Sequence, residues 1–424
     1  MDLIDSFVLP PTSKEHILLF KYVLIFIFTV HFSYMGMIMG NSFYSVIFNI
    51  LAKKKNNQIY SLFAGDLMGF VLMDKPFIVM FGILPSICIW FIYDEILYKS
   101  HIMTTVFLLY SVILTIAGFI LLSIYKNTFS VREKNFFPHI LSGLCGLIIF
   151  FLSLLLFIGS TELLLYREKW FLIKEPLELI FSLNIIFRYI YIIMAFFAIS
   201  GGSILFFFFY WNGGKKDRDG DYSALVTKIS INYTFIFIIL HLFFGFLFLM
   251  TLPAKAISED VVGPSALILL LSYGLCIALY RYDLKFEVPV MIGLIILFLC
   301  MALNDYISRE VSIEEHTKKL ISMANEYREK ITGEHIVEEL FDGRVIYKNV
   351  CSSCHLYDRE FKGPSFSAVL PKYENKIEEL KAYIRNPVKV DPAYPPMQNP
   401  GLREEEIKAV AEYLLTDYLK ENKK

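Results

Sequence analysis

Residues 350–366 read VCSSCHLYDREFKGPSF. Cys351, Cys354 and His355 stand in the spacing Cys-x-x-Cys-His, near the end of a chain that is mostly apolar before it. Two cysteines so spaced serve three chemistries: a metal clip, a dithiol–disulfide pair, or the thioether anchorage of a haem. The rest of the chain selects among them.

Of 424 residues, 56% are hydrophobic and 16% aromatic, more than a soluble domain usually carries. The net charge of −1 gives no electrostatic case for a nucleic-acid partner. Cys88, Cys145, Cys276 and Cys300 fall inside apolar runs and read as small buried hydrophobes, so no disulfide framework is expected. The start lacks a basic segment and a small-residue cleavage site, so the first apolar run is expected to remain as an uncleaved membrane segment.

A bilayer core of ~30 Å takes about 20 apolar helical residues. Eight runs qualify: 18–44, 77–97, 102–125, 136–159, 180–210, 229–252, 263–281 and 287–303. The run 60–73, YSLFAGDLMGFVLM, is too short to span, carries Asp66, and reads as an interfacial or re-entrant piece. The fold class expected is all-α: a membrane helix bundle over 1–305, a charged helical linker over 306–334 and a small all-α domain over 335–424.

Eight spans place both termini on one side. One set of loops is rich in base: Lys53, Lys54 and Lys55; Lys126, Arg132 and Lys134; Lys215, Lys216, Arg218 and Lys228; Arg281 and Lys285. The opposite set holds Lys99, Arg167, Lys169, Lys174 and Lys255. The positive-inside rule puts the richer loops in the cytoplasm and both termini outside a bacterial cytoplasmic membrane.

A structural zinc site needs four ligands and usually presents two cysteine pairs; only one is present. A thioredoxin-like pair needs a βαβ context, which the sequence lacks. Cys-x-x-Cys-His therefore reads as c-type haem attachment, with His355 reaching the iron. The flanks, DGRVIYKNV (342–350) before it and KGPSF and AYPPMQNPGLREEEIKAVAEYLL (393–415) after it, resemble class I cytochrome c over about residues 341–420. The resemblance implies that Met397, in a proline-flanked loop, is the sixth iron ligand. It implies that the Pro364 carbonyl orients His355, and that the first and last helices cross at Gly343, Tyr347 and Tyr413. His/Met ligation raises the reduction potential, so this haem is expected to be the last acceptor within the protein. Haem attachment outside the membrane agrees with the loop charges.

His31 and His241 lie well inside spans, where an imidazole is costly and marks a site. Counted along their helices they sit about 20 Å and about 17 Å deep, at similar levels. They are the candidate ligands of one b-type haem; the plainer alternative is a hydrogen bond from each to a neighbouring helix. Arg188 is about 12 Å deep and needs an anion, which a haem propionate would supply; the plainer alternatives are a carboxylate partner or snorkelling to the outer surface. Asp94 and Glu95 end the second span and read as solvated helix ends or as proton acceptors.

The stretch VHFSYMGMIMGNSFYSVIFNILAKKKNNQIY, residues 30–60, resembles the first helix of subunit I of cytochrome bd-type quinol oxidases. That likeness implies a haem on His31 and a quinone as substrate. The third span has no Glu, span five has Arg188 where the family has a His, and the hydrophilic quinol loop has no counterpart.

The function expected is electron transfer between the quinone pool or a membrane b haem and an external redox protein such as a soluble cytochrome, within a respiratory complex of several subunits. The alternatives are a subunit that docks a larger oxidoreductase with haem c as its one redox centre, or a divergent bd-type oxidase. No catalytic residue is assigned. A haem-copper centre would need more intramembrane histidines, and a transporter would show an internal repeat.

Overall fold

The computed structural model describes residues 14–98, 100, 102–166, 169–170, 172–173, 178, 182–211, 220–253, 259–281, 287–332, 343–389, 391–392 and 394–418. The loop charges at Lys99, Arg167, Lys174, Lys215, Lys216, Arg218, Lys255 and Lys285 lie outside these residues. The chain divides into two compact units, Met1–Ala324 and Asn325–Lys424.

Eight helices among the described residues are long and apolar enough to cross a membrane, and each overlaps one of the eight expected runs. The first is α1, Lys14–Lys55. It ends where Asn56 takes a left-handed φ of 48°, which Asn tolerates better than most residues. Asn57 then caps α2, Gln58–Val71, its Oδ1 accepting from the Ile59 N–H at 2.9 Å. α2 is the short run expected not to span; Phe63, Ala64, Leu67 and Met68 bury its inner face.

The second span begins at Lys75 with Pro76 in its first turn, passes through a π-helical turn at Ile78–Ile83, and becomes α3, Leu84–Ile96. Pro85 has no N–H to give the carbonyl four residues earlier, that of Phe81. The bundle continues with α4 (Thr104–Asn127), α5 (Phe136–Glu162), α6 (Leu183–Leu205), α7 (Gly220–Leu249), α8 (Glu259–Tyr280) and α9 (Glu287–Thr332). The charged run after Asp305 is helical as far as Thr332, as expected.

α4 pairs with α5 and α6 with α7, and α1 packs on α2, α5 and α6. The α1–α6 crossing is close because Gly40 has no side chain: a Cβ there would stand 2.4 Å from Ser200 Cβ. Asn41 Nδ2 donates to Ser203 Oγ across the same crossing at 3.0 Å. At the end of the bundle where α5 begins, His139 is buried between Asn49 (2.8 Å) and Thr128 (2.7 Å) and stacks on Tyr125.

Among its described residues the second unit holds four short α-helices after α9: α10 (Gly343–Ile346, extended by a π-helical turn to Cys351), α11 (Phe366–Val369), α12 (Ile377–Arg385) and α13 (Glu404–Tyr413). Leu370, Leu380, Ile384, Ile407 and Val410 form its core with Phe366 and Tyr413.

Candidate functional site

In the second unit, Cys351 closes the π-helical turn after α10, and the His355 N–H donates to its carbonyl at 3.0 Å. That turn gathers both sulfurs and the imidazole within one short stretch. The His355 Nδ1 lies 2.9 Å from the Pro364 carbonyl. A carbonyl only accepts, so Nδ1 carries the proton and the Nε2 lone pair is left for a ligand. The ring stacks flat on Phe366, centroids 4.9 Å apart and 6° from parallel. Gly363 sits beneath it: a Cβ there would stand 2.4 Å from His355 Cε1.

The geometry also weighs on the competing chemistries. Burial, and then the neighbouring Cys354, push the Cys351 thiol up to about 11. A redox-active pair needs its thiol lowered, not raised. Among the described residues, no three His, Cys, Asp or Glu side chains gather as metal ligands would.

α10 and α13 cross at Gly343, where a Cβ would stand 2.2 Å from the Ala409 carbonyl oxygen and 2.6 Å from Tyr413 Cβ. Tyr347 packs on Tyr413 with ring centroids 5.9 Å apart. Gly343, Tyr347 and Tyr413 are thus brought together. Met397 is half-buried in the extended segment between α12 and α13. That segment is pinned by Asn399, whose Nδ2 donates to the Arg385 carbonyl and whose Oδ1 accepts from the Gly401 N–H. The Arg385 Nε–Glu404 Oε1 contact of 2.5 Å ties its two ends.

In the membrane unit, His31 Nδ1 lies 3.1 Å from the Phe81 carbonyl, the one Pro85 leaves without its helical donor. His241 Nδ1 lies 3.2 Å from the Tyr191 carbonyl, and its ring stacks on Tyr191. His241 is fully buried, with no hydrogen-bond partner at Nε2. Both imidazoles therefore show the tautomer of His355, with Nε2 free to ligate. They have different neighbours, however. His31 lines a cavity of about 30 Å³ with residues of α1, α3, α4, α5 and α6, and His241 is not among its walls. That volume holds about one or two waters, or an ion. That cavity is smaller than a porphyrin.

Arg188 is 1% exposed. Of the two anions its depth allowed, a haem propionate or a carboxylate, the structure supplies carboxylates. Nη1 donates to Glu162, and Nη2 donates to both oxygens of Asp305 at 2.6 and 2.5 Å. Arg309 joins them, donating to Asp305 Oδ2 at 2.6 Å and to the Tyr93 hydroxyl at 2.9 Å. Two arginines and two carboxylates leave no net charge for a propionate to answer. Asp94 and Glu95 are buried, at 7% and 6% exposure, rather than solvated.

Sequence reasoning passed over Glu162, Arg309, Gly363 and Phe366. The Phe81 carbonyl had a local signal in Pro85. The Arg188 partners had none, since Asp305 is 117 residues away.

Comparison with protein families matches residues 338–414 to the family described as cytochrome c oxidase, cbb3-type, subunit III. Comparison with curated proteins and with solved structures gives no match. The matched segment carries Cys351, Cys354 and His355 in the arrangement above; it is a cytochrome c domain, of the kind that binds haem c covalently, on a chain with eight helices of membrane length.

Proposed function

We propose that the protein is a multi-pass membrane subunit of a respiratory complex whose cytochrome c domain exchanges electrons with a redox protein outside the cytoplasmic membrane. The observation that carries this reading is the His355 Nδ1–Pro364 contact beside two unpaired cysteines. In it Cys351 and Cys354 would anchor the haem, His355 and Met397 would ligate its iron, and the group would supply one-electron transfer. The Pro364 carbonyl holds the imidazole proton on Nδ1, and Gly363 and Phe366 hold the ring in one plane.

The loop-charge bias supports the outward placement. Eight spans exceed what anchoring needs, which supports a role in holding other subunits. A competing reading feeds the domain from the quinone pool through a b haem on His31 and His241. The Nδ1-protonated tautomers favour it, and the small cavity beside His31 counts against it.

Spheroplasts test the main reading. A soluble cytochrome that cannot cross the membrane should oxidise the reduced c haem of intact spheroplasts within the mixing time, and fail with a Cys351→Ala, Cys354→Ala variant. Oxidation only in inverted vesicles would overturn the placement.

A further inference from the structure

Met397 sits in a segment that its own backbone does little to hold. Pro395 and Pro396, just before it, have no N–H to donate, and residues 395–400 belong to no helix. The pins are side chains. After Met397, Asn399 donates to the Arg385 carbonyl, and the Arg385–Glu404 pair closes that end. Before Met397, the Tyr394 hydroxyl donates to the Glu360 carboxylate. Asn399 ties the segment to the end of α12, whereas Tyr394 ties it to the loop that leaves His355. That loop is closed on the cysteine motif by the Gly363 N–H, which donates to the Cys354 carbonyl at 3.0 Å. It turns back at Phe361, whose N–H donates to the Gly363 carbonyl at 3.1 Å. The Phe366 and Ser367 N–H groups fix its base, donating to the Leu356 and Tyr357 carbonyls at 2.9 Å. The Tyr394–Glu360 bond therefore joins the loop that orients His355 to the segment that carries Met397.

We propose that the Tyr394–Glu360 hydrogen bond is a latch that keeps the Met397 sulfur on the haem iron, which makes Tyr394 and Glu360 positioning residues for the sixth ligand. The inference rests on the reading of Met397 as that ligand. A hydrogen bond from a hydroxyl to a carboxylate is charge-assisted and stronger than a neutral one. That bond, and after it burial and the charges of Glu360 and Asp391, push the Tyr394 hydroxyl up to about 12, so it keeps its proton to donate at neutral pH. A thioether is a weak, neutral donor, and a chain free at one end lets it leave the iron. With pins on both sides of Met397, leaving costs the nearer bond as well as the iron–sulfur bond.

The test uses the full chain, purified in detergent and oxidised, with imidazole as a competing ligand. Wild type should show the weak far-red charge-transfer band of thioether-ligated ferric haem, and added imidazole should abolish it. Tyr394→Phe removes the hydroxyl and keeps the ring; Glu360→Ala removes the acceptor. Each should lose the band at about threefold less imidazole than wild type. The double variant should lose it at the same concentration as either single one, because the two residues act through one bond. Covalent haem content, unchanged in all of them, is the check on folding. Imidazole displacing the band at the wild-type concentration in every variant, or losses that add in the double variant, would overturn the latch and leave Met397 as the ligand. A wild type without the band would show that Met397 is not the ligand, and the latch would fall with the reading beneath it.

Discussion

Gly363 sits against an imidazole that has no room to move. His355 is held on one face by Phe366 and at Nδ1 by the Pro364 carbonyl. Adding a methyl in Gly363→Ala puts a carbon 2.4 Å from Cε1, so the ring must rotate or the loop must shift. The expected outcome is several-fold less low-spin covalent haem, read from the absorption spectrum, with the membrane fraction of the protein unchanged. A wild-type spectrum would show that the ring is not so confined. The Arg385–Glu404 pair makes a second residue-level prediction. Its hydrogen bond to Arg385 holds the Glu404 carboxyl below the usual range. The pair therefore stabilises the folded domain above the unfolded pKa of about 4.3, and that stability is lost as pH falls through the folded value. Glu404→Gln should unfold slightly more easily than wild type at neutral pH, by denaturant titration of the haem band, and the two should converge in acid. A difference that persisted in acid would assign the effect to packing. The cysteine motif was legible in the sequence because spacing along the chain carries it, and its proline through the resemblance to class I cytochrome c. Gly363 was not, because its meaning lies in what a missing methyl would touch.

At the level of elements, hydropathy alone located the eight long helices, since a bilayer core demands a run of apolar residues whatever packs beside it. What joins the helices was hidden. Arg188 on α6 bonds Glu162 at the end of α5 and Asp305 on α9, and Arg309 carries the network to Tyr93 on α3. Four helices are cross-linked at one end of the bundle by groups that tertiary folding alone brings together. Removing Glu162 leaves two arginines on one carboxylate, with a buried charge uncompensated. Glu162→Ala should therefore cost about 3–5 kcal/mol of stability in detergent, whereas replacing a complete pair by apolar groups costs far less. A thermal shift assay on Glu162→Ala beside Glu162→Ala with Arg188→Met makes the comparison. If the double variant is no more stable than the single, the network is not what secures these helices. The same accounting explains why Arg188, read alone, admitted a cofactor: depth shows that an anion is required and says nothing of which.

For the whole molecule, two units with different solvents share one chain. The second belongs to a recognisable class, and its chemistry follows from Cys351, Cys354 and His355. The first offers two buried imidazoles with Nε2 uncommitted and a cavity beside His31 smaller than a porphyrin. The account thus rests on haem c as the redox centre of this chain. A pyridine haemochrome spectrum of the purified full-length protein, which counts covalent c-type and extractable b-type haem separately, tests it most directly. The account predicts about one c haem per chain, attached through the motif's two sulfurs, and no b haem. A spectrum without covalent haem, or one whose b-type band vanishes in His31→Leu, would contradict it.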